Sequence, residues 1–257
     1  MRSRQLASRG FRRGLTLSAL WLAACSAGRM DVVGLTPGSL DLGMVAHWPC
    51  DAEGGSALVD SSGNRHDGTL AGASWIAGRF DGAVHFDSGS SVPVPAFPQA
   101  TRSWSVALWY RAPAGDQGND DLTLISTEVE AEGGWAMTAR LGTADRRYQF
   151  SYLGSSDAGD PYQIINLNQV EVETWVHLVA VVDDATMQLS FYQNGELAGT
   201  SKVTSLIQTG NPDLYLGCST SQNRFLVGDL DDIVIFSRAL VQSEIQQLYV
   251  SPAPHAR

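Results

Sequence analysis

The stretch GDLDDIVIFSRALVQSEIQQLY, residues 228–249, carries a strand and a helix back to back. LDDIVIFS (230–237) is β-prone and places Ile233 and Ile235 two apart, the period of a half-buried strand. In ALVQSEIQQLY (239–249), Ile245, Leu248 and Tyr249 fall at helical spacing and Pro252 stops anything beyond. No other helix in the chain is convincing, so the class depends on whether the rest reads as strand.

It does. Working backward, LYLGCS (214–219) is strand-like, and QLSFYQNGELAGTSKV (188–203) is a hairpin whose Asn194-Gly195 supplies the two positive-φ residues of a type I′ turn. TWVHLVAVVD (174–183) is nearly continuously apolar, which predicts a central strand covered on both faces. YQFSYLG (148–154), WAMTARL (135–141) and LTLIST (122–127) read as successive antiparallel strands. SWSVALWYRA (103–112) sets Trp104, Val106, Leu108 and Tyr110 on one face, with Ser105, Ala107, Trp109 and Arg111 on the other. AVHFD (83–87) and MVAHWPC (44–50) complete the series. Strand runs separated by Gly, Asp, Asn and Ser, without helices between them, predict an all-β, two-sheet antiparallel sandwich with one short C-terminal helix.

A length of 257 residues suits one domain of this class. Only 17% of residues are charged and 44% are apolar, which excludes disordered and multi-span membrane classes. The net charge is −10 and Lys202 is the single lysine, the opposite of a phosphate-binding footprint, so nucleic acid is excluded as a partner.

The N-terminus stands apart from the fold. Arg2, Arg4, Arg9, Arg12 and Arg13 precede the short apolar run LTLSALWLAA, the layout of an export signal too short to span a bilayer. The run closes on Leu22-Ala23-Ala24-Cys25, which resembles the bacterial lipobox, whose cysteine is acylated. The alternative is an ordinary cleaved secretory signal; the residues after Arg12-Arg13 fit twin-arginine export poorly. The expected organisation is a lipoprotein signal peptide (1–24), a tether (25–43), a folded domain (44–250) and a tail (251–257). Cleavage before Cys25 leaves 12 basic against 27 acidic residues, an acidic body at −15, exported to the cell envelope on a lipid anchor, at the outer membrane or cell surface. In that oxidising space Cys50 and Cys218 either pair or remain two separate buried thiols.

MVAHWPCD, DSSGNRHDG, GRFDGAVHFD, SWSVALWYRA, TWVHLVAVVD, FYQNGELAG, LYLG and GDLDDIVIFSRALVQSEIQQLY, in that order, resemble the laminin G-like subset of the concanavalin A-like lectin/glucanase jelly rolls over roughly 44–249. The final block is its most specific part. Two positions depart from the family pattern: Cys50 replaces an aromatic, and Val241 replaces the serine that would cap the last helix, a loss of about 1 kcal/mol.

The resemblance implies a jelly roll and a structural calcium ion. Calcium takes six to eight oxygens, and DSSGNRHDG (60–68) offers the Asp60 carboxylate, carbonyls at the Gly63-Asn64 turn and the Asn64 side-chain oxygen. If alternation holds, Asp231 shares the covered face of Ile233 and Ile235 and would be the partner carboxylate; a one-residue slip substitutes Asp232. Against this, Asp60 and Asp67 would merely close Asx turns and Asp231 would bond to backbone amides. The histidines, 47, 66, 85, 177 and 255, show no zinc-ligand spacing.

Glycoside hydrolases of the same superfold carry Glu-x-Asp-x-x-Glu on one strand. The nearest match, Glu128, Glu130 and Glu132, has the wrong central residue and spacing, so no catalytic residue is assigned. What the resemblance then implies is a non-catalytic module for polysaccharide or an extracellular protein, with Trp135, Tyr148, Tyr152 and Tyr162 as stacking candidates. The runner-up is a structural or adhesive envelope lipoprotein, and a hydrolase comes third.

Overall fold

A computed structural model describes residues 39–98, 100–118, 120–127, 134–142, 145–154, 162–167, 170–206, 213–219 and 223–254. The signal, Cys25, Glu128, Glu130, Glu132, His255 and the side chain of Tyr162 lie outside the described residues. The described part falls within the unit Pro37–Arg257.

The strands, in chain order, are β1 (Met44–Trp48), β2 (Ala57–Leu58), β3 (Gly68–Thr69), β4 (Ser74–Phe80), β5 (Gly82–Phe86), β6 (Val92–Val94), β7 (Trp104–Arg111), β8 (Asp121–Ser126) and β9 (Gly134–Leu141). There follow β10 (Arg146–Leu153), β11 (Tyr162–Leu167), β12 (Trp175–Asp183), β13 (Gln188–Gln193), β14 (Glu196–Lys202), β15 (Leu214–Leu216), β16 (Cys218–Ser219), β17 (Arg224–Phe225), β18 (Gly228–Phe236) and the helix α1 (Gln242–Val250). An eight-stranded sheet runs β14-β13-β12-β7-β18-β5-β4, with β1 also on β18, and a six-stranded sheet runs β11-β10-β9-β8-β15-β6. All pairings within these two sheets are antiparallel, so the concanavalin A-like jelly-roll sandwich read from the sequence is the fold.

The β7 alternation holds. Trp104, Val106, Leu108 and Tyr110 join the core between the sheets, while Ala107 joins a smaller cluster on the outer face. There Ile245 and Leu248 of α1 cover Val179, Val181, Val234 and Phe236. β12 is therefore buried on both faces, as its apolar run predicts. Asn194 (φ 52) and Gly195 (φ 82) make the hairpin turn between β13 and β14. Among the described residues no helix is long and apolar enough to cross a membrane.

Two details correct the sequence reading. β18 contains a bulge between Asp231 and Val234, with Asp232 at φ 43, so strict alternation fails. Leu230, Ile233 and Ile235 face the core, and Asp231 lies opposite Trp109 on the outer face instead. The bulge sits where one edge of β18 changes partner, from β5 at residues 228–230 to β1 at 233–236. At the helix start, Val241 gives no side-chain cap, but the Glu244 carboxylate accepts its N–H at 3.0 Å. Arg238 clamps both oxygens of Glu244, at 2.7 and 2.8 Å, so an ion pair replaces part of the missing cap.

Candidate functional site

DSSGNRHDG folds into a latch on β1. Asp60 is 7% exposed, and its carboxylate accepts the N–H groups of His47, Ser62 and His66, each at 2.9 Å, together with the Ser62 hydroxyl. Burial pushes the Asp60 carboxyl up, but these donors outweigh it and leave the pKa below its usual value. Asp67 accepts the Asp60 N–H at 2.8 Å, and Asn64 Nδ2 donates to the carbonyls of Val45 and Met44. Gly63 turns the loop at φ 88. Amide hydrogens converging on a carboxylate oppose a cation there, so the residues do not fit the expected calcium ion.

The partner proposed for it is engaged elsewhere. Asp231 Oδ2 accepts the N–H groups of Arg79 and Phe80, at 2.7 and 2.9 Å. Its Oδ1 is buried without a hydrogen-bond partner among the described residues, and burial, opposed by those amides, raises the carboxyl from 3.8 to about 7. Asp232 instead accepts the Ala253 N–H at 3.0 Å and meets His47 Nε2 at 2.7 Å. Among the described residues no group of three or more His, Cys, Asp or Glu side chains is arranged to hold a metal ion.

The sequence reading missed what this bulge assembles: Ser61 Oγ lies 2.8 Å from His47 Nδ1, whose other nitrogen meets Asp232. The residue types are those of a hydrolytic triad. However, His47 is fully buried, and the Ser61 hydroxyl also lies 3.1 Å from the His47 carbonyl. The arrangement ties β1, the polar loop, β18 and the C-terminal tail together, a structural role. Only the bulge brings Asp232 to His47, 185 positions away, so no local motif announced it.

Cys50 and Cys218 do not pair; both are free and buried. Cys50 lies near Asp231 and Asp232 beside the eight-stranded sheet, with its thiol pushed well up by burial and by those carboxylates. Cys218 belongs to β16, where its carbonyl accepts the Ser126 hydroxyl of the six-stranded sheet at 3.0 Å. The two thiols serve different layers.

The aromatic candidates also need correction. Trp135, Tyr148 and Tyr152 are 5%, 0% and 1% exposed and belong to the core between the sheets, so they cannot stack on a ligand. Trp135 packs on Trp104 and Phe150, and Tyr148 sits edge-on to Tyr110. Alternation puts the residues between them on the opposite face of the six-stranded sheet.

That face is hydrophilic. Thr123 on β8 is registered with Thr138 on β9, Thr138 with Gln149 on β10, and Gln149 with Asn166 on β11, one polar side chain per strand. A parallel row runs Asp121–Arg140–Arg147. Asp121 is held by Arg140 Nε at 2.9 Å and Arg224 at 3.3 Å, and Asp145 pairs with Arg140 and Arg147. Both carboxylates are thus matched to guanidinium groups and not to each other, which is unlike an acid–nucleophile pair. Thr123 and Thr138 are 1% and 3% exposed, and their hydroxyls have no hydrogen-bond partner among the described residues. Arg140, Arg147 and Arg224 remain partly accessible at one end of the face.

Solved structures with the same fold include the binding domain of Paraclostridial Mosquitocidal Protein 1, at 17% identity and a TM-score of 0.67, with 82% of this chain and 52% of that one covered. Domain 4 of AbnA, an extracellular arabinanase from Geobacillus stearothermophilus, solved with arabinotriose, matches at 20% identity and a TM-score of 0.61, covering 80% of this chain and 98% of that domain. The binding domain of botulinum neurotoxin DC, solved with rat synaptotagmin II, matches at 17% identity and a TM-score of 0.61, covering 82% and 52%. The chain thus spans about half the length of the two toxin binding domains it matches. No curated protein matches it in sequence. The family profile that does match covers residues 86–246, more than half of the chain, and on that match and this fold the chain belongs to the concanavalin A-like lectin/glucanases superfamily.

Proposed function

We propose that the chain is a non-catalytic binding module for polysaccharide, exported and displayed on a lipid anchor at Cys25, and that the outer face of the six-stranded sheet is its ligand surface. The observation that carries this reading is the polar outer face itself, where the row Thr123–Thr138–Gln149–Asn166 ends in the exposed Asn166 and runs beside the partly accessible Arg140, Arg147 and Arg224. Strands lie about 4.8 Å apart, so Arg140, Arg147 and Asn166 on successive strands present accessible polar groups at a spacing suited to successive hydroxyls of a sugar chain. The domain solved with arabinotriose supports this ligand class. The toxin domain solved with synaptotagmin II supports a protein partner as the second reading.

Affinity gels of insoluble and soluble polysaccharides, run with the full chain and with its Thr138→Val and Gln149→Ala variants, test the assignment. Retardation by at least one polysaccharide, reduced in both variants, is the expected result. Retardation unchanged in both variants would remove the six-stranded face from the proposal, and none on any polysaccharide would leave the protein-partner reading.

A further inference from the structure

A cleft of about 430 Å³ opens on the outer face of the eight-stranded sheet, lined by His85, Arg111, Ala112, Pro113, Glu173 and Asp229 among others. Three adjacent strands build a row along it. His85 on β5 is registered with Asp229 on β18, and Asp229 with Arg111 on β7. Asp229 is 7% exposed and spends both oxygens on its neighbours, at 2.6 Å to His85 Nδ1 and 2.7 Å to Arg111 Nε. Trp175, registered with Arg111 on the next strand, has its ring centroid 4.8 Å from the guanidinium carbon.

Each of these groups is thereby fixed with one edge left over. Among the described residues the terminal nitrogens of Arg111 make no hydrogen bond. His85 Nε2 has only Asp87, 79% exposed, at 3.5 Å. Glu173 is presented from a backbone held at φ 58, pinned where its N–H donates to the Ala112 carbonyl at 2.8 Å. Gly228, at φ 130, lets the chain pass: a Cβ there would come within 2.6 Å of the Arg111 carbonyl. Positions held this firmly cost little further ordering when a ligand arrives.

The geometry points to a second binding site here, for an uncharged glycan segment of one or two sugar rings. An anion would meet Asp229 and Glu173, and a cation would meet Arg111, so neither charge is favoured. The free edges pair donors on Arg111 and His85 with an acceptor on Glu173. Adjacent sugar hydroxyls, each both donor and acceptor, complement that set, while Ala112 and Pro113 offer an apolar wall to ring C–H groups. The site lies on the opposite sheet from the row proposed above and rests on that reading only for the class of ligand.

Isothermal titration of the full chain with arabinotriose, xylotriose, cellotriose and mannotriose tests it, with Glu173→Gln, Arg111→Lys and Gln149→Ala as variants. At least one trisaccharide should bind, and Glu173→Gln and Arg111→Lys should each weaken it about tenfold or more. Glu173 is exposed, so its variant decides the matter should Arg111→Lys fail to fold. Binding that falls with Gln149→Ala but is untouched by Glu173→Gln overturns this site and keeps the six-stranded face. No binding of any trisaccharide overturns it as well.

Discussion

Replacing Asp231 with asparagine separates two titrations that oppose each other in the unaltered chain. Burial raises the Asp231 carboxyl from 3.8 to about 7, so the stability it contributes is complete below pH 3.8 and is lost as pH rises to 7. Burial lowers the His177 imidazole from 6.5 to about 3, so its contribution is complete above pH 6.5 and is lost as pH falls toward 3. Between about pH 4 and 6.5 each changes the unfolding free energy by about 1.4 kcal/mol per pH unit, with opposite signs, and together they nearly cancel. Asparagine keeps an oxygen for the Arg79 and Phe80 amides and does not titrate. The variant should therefore lose about 3 kcal/mol relative to the unaltered chain between pH 6.5 and 4, or roughly 6–12 °C of Tm for a domain this size. Urea unfolding of both proteins at four pH values gives the difference directly, and titrating groups remote from Asp231 drop out of it. A difference that stays constant over that range would refute the buried, raised carboxyl.

Val241→Ser supplies the cap oxygen that α1 lacks and should add about 1 kcal/mol in urea melts, whereas Glu244→Ala strands Arg238 and should cost about 3 kcal/mol. Because amides rather than a cation hold Asp60, the thermal midpoint should be the same in calcium and in chelator; a calcium-dependent rise would show that the loop takes the ion after all. Two thiols, Cys50 and Cys218, should react with a thiol reagent only after unfolding, without reductant; no reaction would mean that they are joined. Cys25→Ser should abolish incorporation of labelled fatty acid and release the protein from membranes, and persistence of either would exclude Cys25 as the lipid anchor.

The strands that alternate cleanly, such as β7, or run wholly apolar, such as β12, were legible because their period survives in the structure. β4 was not, because SWIAGRF is only partly buried and interrupted by Gly78, so it carries no firm apolar stripe. Asp231 was read onto the wrong face because a bulge consumes one residue, and nothing in LDD marks which aspartate is extra. Stacking residues were sought at Trp135, Tyr148, Tyr152 and Tyr162; the first three serve the core, and the side chain of Tyr162 lies outside the described residues. The same alternation placed Thr138 and Gln149 on the other face, but small polar residues in strands look like ordinary solvent-facing positions. The second cleft draws His85, Arg111, Glu173 and Asp229 from four separated segments, and only strand order brings them together.

The seam in β18 bears on how the chain matures. β1 finds its partner in residues 233–236, and the side chain that locks His47 then needs the Ala253 amide to complete its own bonding. The sandwich cannot close around a nascent chain that lacks its last thirty or so residues, because β7 and β1 would both face an empty edge. Loss of β18 and the tail is therefore a failure of closure for the whole sandwich, not the trimming of one edge.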